Sequence, residues 1–138
     1  VSSAELDFAR RFAEGWAAPT AERLVTLLAD DVVLYQPHRP PLRGRAAALA
    51  EFHRLFRWLP GLHGEVHRAR GADGVLYIEW TMRLPIGRGV AIDAVDRFLL
   101  RDGLGLERTV YFDQIPLIAG VVRSPSAWAG YARYRFGR

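Results

Sequence analysis

The chain has 138 residues, half of them hydrophobic and a quarter charged, with a formal net charge of +4. That length fits one domain with a sizeable core, and no apolar run approaches the roughly 20 residues of a membrane span. There is no cysteine, and all 19 basic residues are arginine, which excludes disulfides, thiolate ligands, a cysteine nucleophile and lysine Schiff-base chemistry.

The arginines are spread along the chain beside acids, as in Asp96-Arg97 and Glu107-Arg108. The positive balance therefore reads as solvated faces and ion pairs, and no nucleic-acid partner is expected. No basic segment followed by an apolar stretch opens the chain, so the expected location is cytoplasmic, with no membrane partner.

Ser2 followed by Glu5 fits a capping box. It opens a predicted helix over 2–18 in which Leu6, Ala9, Phe12, Ala13 and Trp16 share one face. PTAERLVTLLADD predicts a second short helix, with Thr20 as N-cap and Leu24, Leu27 and Leu28 facing inward. DVVLYQP predicts a short strand stopped by proline. HRPPLRGR predicts a loop, stiff at Pro40-Pro41 and turning at Gly44. AAALAEFHRLFRWL predicts a third helix with Leu49, Phe52 and Phe56 on one stripe, ended by Pro60-Gly61.

Strands follow. GEVHRAR, VLYIEWTMRL, VAIDAVDRFLL and LERTVYFDQI are separated by GADG, PIGRG and RDGLG, a pattern of antiparallel hairpins. SPSAWAGYARYRF predicts a last amphipathic helix with Ser124 as N-cap and Pro125 at its first position. Its Trp128, Tyr131 and Tyr134 suit capping a pocket, covering a sheet edge or packing on a partner. Three helices and then a strand meander is an α+β order. The mainly antiparallel sheet should curl, with the helices covering its concave face and enclosing a pocket.

Side chains alternate along a strand, so each strand divides into two faces. In VLYIEWTMRL, Leu76, Ile78, Trp80, Met82 and Leu84 form an apolar inner face, with Trp80 and Met82 lining any cavity. In AIDAVDRFLL one carboxylate, Asp96, interrupts the face of Ile92, Ala94, Phe98 and Leu100. A buried carboxylate must be paired, here with an arginine such as Arg108, or must shift its pKa upward as a pocket acid. In LERTVYFD, alternation puts Arg108, Val110 and Phe112 on one face and Thr109, Tyr111 and Asp113 on the other. That places Asp113 on the more polar side unless a bulge or strand end reverses it.

HGEVH sets His63, Glu65 and His67 at alternate positions, a weak metal-binding pattern, but Gly61 and Gly64 point to a turn and no metal is expected. His38 sits in the proline-rich loop at a potential pocket mouth, and His53 on the polar side of its helix. No serine occupies a nucleophile-elbow pattern, and the GRG at 87–89 is a hairpin turn, not a phosphate loop.

The succession FAEGWAA, ERLVTLLADDVVLYQP, PPLRGRAAALAEF, GVLYIEW and VDRFLLRDGLGLERTVYFD resembles the SnoaL-like polyketide cyclases. Their wider group is the nuclear-transport-factor-2-like superfamily, with ketosteroid isomerases and limonene-epoxide hydrolases. The resemblance implies one domain over 1–138, with a core of about 5–118 and a helical extension at 124–136. It implies a cone-shaped, strongly curved sheet with a deep pocket, often in a homodimer. It also implies that Asp113, at the end of YFD, faces the cavity as an acid/base. Tyr35 resembles the hydrolases' water-holding tyrosine, but their partner asparagine is missing. Their Arg-x-Asp pair is replaced by Trp80 and Met82, which counts against an epoxide hydrolase.

The expected function is cofactor-free general acid/base catalysis on a hydrophobic, polycyclic or aromatic-like small molecule, of the aldol cyclisation or isomerisation type. The expected catalytic residues are Asp113, Asp96, Tyr35 and His38. Phe12, Trp16, Phe52, Phe56, Trp80, Met82 and Tyr111 would bind the substrate. The alternatives are a non-catalytic ligand-binding or dimerisation module, and an epoxide hydrolase with an altered acid.

Overall fold

The computed structural model describes residues 2–37 and 39–137. Its element order is α1 (Ser3–Ala17), α2 (Ala21–Val25), β1 (Leu28–Gln36), β2 (Arg39–Arg43), α3 (Arg45–Trp58), β3 (His63–Ala72), β4 (Val75–Leu84), β5 (Val90–Arg101), β6 (Leu104–Phe112), α4 (Ile115–Arg123), a 3-10 turn (Pro125–Ala127) and α5 (Trp128–Phe136). Among the described residues no helix is long and apolar enough to cross a membrane.

The six strands form one curved, unclosed sheet in the order β2-β1-β6-β5-β4-β3. β3 to β6 is an antiparallel meander, while β1 pairs with β6 in parallel. Two of the hairpins turn on Asp-Gly. Asp73 and Gly74 have φ of 56° and 79°, and Asp102 and Gly103 have 53° and 75°. Left-handed φ at both central residues gives a turn whose twist matches the strands. Register shifts in β1, in β3 and at the start of β6 add local bend.

α1 opens with the capping box its sequence predicts. The Ser2 hydroxyl accepts from Glu5 N–H, and the Glu5 carboxylate accepts from Ser2 N–H at 2.9 Å. The same carboxylate accepts from Gly74 N–H at 3.0 Å, tying the helix to the β3–β4 turn. The buried stripe is Glu5, Phe8, Phe12, Gly15 and Trp16; it keeps Phe12 and Trp16 of the predicted face but takes Glu5 and Phe8 in place of Leu6 and Ala9, so Leu6 is exposed. Phe8 and Phe12 pack edge-on against Phe98, and Trp16 lies 4.8 Å from Trp80 between ring centroids. At Gly64 a Cβ would stand 2.6 Å from the Trp80 ring, so β3 crosses this indole only because a glycine is there.

Several elements differ from the expectation. The second helix ends at Val25, and Leu28 already belongs to a strand that begins three residues before DVVLYQP. Val32 and Leu34 alternate inward there, while Leu28 and Ala29 are both buried, so the leucine run masks where the strand begins. RPPLR, expected as loop, is the edge strand β2, a place where prolines without N–H groups are tolerated. IPLIAGVVR forms α4, and the final segment begins with a 3-10 turn before α5. His38 lies outside the described residues.

Candidate functional site

The helices leave an apolar cavity of about 70 Å³ over the concave face. Trp80, Met82, Leu84 and Ile92 line it from β4 and β5, and Arg108, Val110 and Phe112 from β6. Trp16, Phe52, Leu55 and Trp58 enclose it from α1 and α3, Leu117 from α4 and Tyr134 from α5.

At its base, a buried ion pair joins neighbouring strands. Arg108 Nε donates to Asp96 Oδ2 at 2.5 Å, and Trp80 Nε1 donates to Asp96 Oδ1 at 2.8 Å. Asp96 is 0% exposed and Arg108 is 5% exposed. Burial pushes the Asp96 carboxyl above its ordinary value, while the Arg108 guanidinium and the Trp80 hydrogen bond oppose that rise. The rings of Phe12, Trp16, Trp80 and Phe98 surround the guanidinium, their centroids 5.6–6.0 Å from its carbon. Such faces stabilise a cation that water no longer reaches. Among the described residues neither Nη nitrogen of Arg108 donates to a protein acceptor, and the side chain borders the cavity.

A second buried polar cluster forms part of the opposite wall. Glu51, 1% exposed on α3, accepts from Tyr134 Oη at 2.6 Å through one oxygen. Its other oxygen meets Arg39 Nη2 at 3.2 Å and Arg54 Nη2 at 3.1 Å. Arg39 also donates to the Tyr134 carbonyl at 2.7 Å and lies over the Tyr134 ring. Burial and the adjacent Glu51 charge push the Tyr134 phenol well up, so it stays protonated and donates. Three elements, β2, α3 and α5, are thereby fastened over the cavity.

The cavity brings together Trp16, Phe52, Trp80 and Met82 of the expected binding residues, and Asp96 lies beneath it. Phe12 reaches the site through the Arg108 cage, and Phe56 through Trp16. Tyr111 is 51% exposed on the convex face and does not line the cavity. Tyr35 is half-buried on β1, where its neighbour Gln36 lines the cavity in its place. Asp113 is exposed past the end of β6 and outside the cavity, and its Oδ1 accepts from Ile115 N–H at 2.9 Å at the start of α4. β6 runs without a bulge from Glu107 to Phe112, so alternation turns Arg108, Val110 and Phe112 inward and Asp113 outward. Arg97 pairs with Glu107.

Of HGEVH, Glu65 pairs with Arg83 and His67 shares a hydrogen bond with Thr81, which donates to Asp93. Among the described residues no three His, Cys, Asp or Glu side chains are grouped to hold a metal ion.

Glu51 was not singled out by the sequence reading, although it adjoins the apolar stripe of Ala48, Phe52 and Leu55 at helical spacing. A carboxylate on such a stripe is the same signal that marked Asp96.

A family model of the SnoaL-like domain matches residues 9–107. The chain belongs to the SnoaL-like domain family. Comparison with curated proteins finds no match. Among solved structures, this SnoaL-like domain is similar to a protein from Jannaschia sp. CCS1 described as a SnoaL-like polyketide cyclase. The TM-score is 0.75 at 17% identity, over 88% of this chain and 93% of that one. It is similar to a hypothetical protein with a ketosteroid isomerase-like fold from Catenulispora acidiphila DSM 44928, in complex with trimethylamine. The TM-score there is 0.76 at 16% identity, over 83% and 91% of the two chains. An LEH-like epoxide hydrolase from M. tuberculosis gives 0.74 at 20% identity, over 93% and 96%. At these identities the likeness is one of fold.

Proposed function

We propose that this SnoaL-like domain binds a compact hydrophobic molecule bearing a carbonyl or carboxylate oxygen, and that Arg108 receives that oxygen at the base of the cavity. The observation that carries this reading is the guanidinium itself. It is buried, caged by four aromatic rings, held through Nε by Asp96, and its Nη donors find no protein acceptor among the described residues. A guanidinium held in this way is preorganised for an oxygen that carries or gains negative charge. The 70 Å³ of space favours a single small ring over a polycyclic ligand, since drug-sized molecules occupy roughly 300 Å³ or more.

Binding is favoured over catalysis because both carboxylates beside the cavity are engaged. Asp96 is held by Trp80 and Arg108, and Glu51 by Tyr134, Arg39 and Arg54. The test is a thermal-shift screen with small alicyclic and aromatic ketones and carboxylates. A ligand at about 100 times its Kd should add about 2.7 kcal/mol of stability. Met82→Trp fills the cavity and should remove the shift. Silence from both compound classes, or an equal shift in Met82→Trp, sinks the proposal.

One observation favours the acid/base reading as a second possibility. Asp113 directly follows Phe112 of the cavity wall, and its carboxylate is tied to the protein through a single local backbone bond. In that reading Asp113→Asn abolishes turnover of an aldol or enolisable ketone substrate and leaves folding nearly intact. Unchanged turnover removes Asp113 from the chemistry and leaves it as a turn residue that accepts from Ile115 N–H.

A further inference from the structure

Outside the cavity, α3 and α5 enclose a second depression of about 360 Å³. Arg54 and Arg57 line it from α3 and Arg133 from α5, with Trp58 and Tyr134 as its floor. Positions three apart on a helix are neighbours, and like charges there repel. A sequence selected only for stability would place an acid between such arginines, yet among the described residues no carboxylate side chain lines the cleft. Glu51, the partner of Arg54, is buried and already shared with Arg39 and Tyr134. Arg57 and Arg133 enter no ion pair among the described residues. The Nε of Arg54 is buried without a hydrogen-bond partner.

The cleft is also preformed. Trp58 stacks on Tyr134 with centroids 5.1 Å apart and planes at 28°. At Gly130 a Cβ would stand 2.6 Å from the Trp58 ring, so a glycine is what lets α5 approach closely enough to bring Arg133 opposite α3. Three guanidiniums converge on a rigid floor. Each is a planar fork that suits phosphate oxygens.

We propose that the α3–α5 cleft is a binding site for a phosphate-bearing polyanion, with Arg54, Arg57 and Arg133 as its donors. The site is separate from the apolar cavity, and the Trp58–Tyr134 stack is the wall between them.

Titration calorimetry with inorganic pyrophosphate at fixed ionic strength tests it, on the full chain and on Arg57→Gln/Arg133→Gln. Both arginines are exposed, so the variant should keep the fold, and near-ultraviolet circular dichroism verifies that. Saturable binding that weakens at least about tenfold in the variant is the expected result. Binding within about twofold in both proteins, or no saturable heat up to about 10 mM pyrophosphate, overturns the proposal. Sedimentation with phosphatidic acid vesicles then names the source. Retention lost in the variant assigns a lipid headgroup, and no retention beside pyrophosphate binding assigns a free phosphate.

Discussion

Arg108 does two things with one group. Its Nε donates to a buried carboxylate, and its side chain borders the cavity. Removing it should be costly, because Asp96 would remain buried with Trp80 alone. Arg108→Met should lose about 3–5 kcal/mol in urea unfolding. Adding Asp96→Asn should recover part of the loss, since the amide carries no charge and still accepts from Trp80. A double variant no more stable than the single one would show that the charge is not what the arginine answers. In the single variant Asp96 keeps its desolvation without its counter-charge, so its folded pKa lies further above 3.8. Stability then falls as pH rises through and beyond that value, and the gap to wild type narrows in acid. This pair was legible in the sequence: one acid on an apolar strand face, and one arginine at an inward position on a neighbouring strand. Asp113 was legible only in part. Strand alternation pointed it outward, and family likeness pointed it inward. The structure follows alternation, because no bulge interrupts the second half of β6.

At the scale of elements, α5 stands out. Its faces are barely apolar, Phe136 is 74% exposed, and Tyr134 is its one buried residue among those described. Two polar anchors, Glu51 to the phenol and Arg39 to the carbonyl, join the Trp58 ring contacts in holding it. Tyr134→Phe deletes a hydrogen bond to a charged group without leaving a void, at a cost of about 1.5–3 kcal/mol. Amide exchange should speed up in α5 and stay unchanged in β4 and β5. Uniform acceleration would mean that α5 is part of the global fold and not a separable cover. The sequence showed this helix by its Ser-Pro start and aromatic spacing. It did not show α4 or β2. IPLIAGVVR is too uniformly apolar for one face to be distinguished, and Pro-Pro reads as a loop wherever its edge position is unknown.

Across the whole molecule, carboxylates held in their charged form set the response to acid. Asp7, Asp31 and Glu65 are held below their ordinary values by Arg10 and Arg11, by Arg101 and by Arg83, in that order. Glu5 is lowered first by the Ser2 and Gly74 backbone N–H groups. A depressed folded pKa contributes stability above the unfolded value, which is lost as pH falls through the folded one. Stability should therefore decline as pH drops below 4.5 and then 3.8. At about 1 M salt the Debye length is about 3 Å, so the arginine-paired share of the decline should shrink and the Glu5 share persist. A slope unaffected by salt would assign the acid response to backbone-held groups. The α+β order, the hairpin meander and the inner strand faces were all legible at this scale. The parallel partner of β1 was not, because strand patterns fix faces and not neighbours.

That parallel pairing has a consequence in time. β1 ends at Gln36, and β6, its neighbour in the sheet, begins at Leu104. Contacts this distant in sequence slow folding, since a long loop must close before they contribute. At ribosomal speed the gap lasts on the order of 10 s. During that interval β1 holds the inward Val32 and Leu34 with half of its ladder missing, and the nascent chain must stay soluble until its last strand arrives.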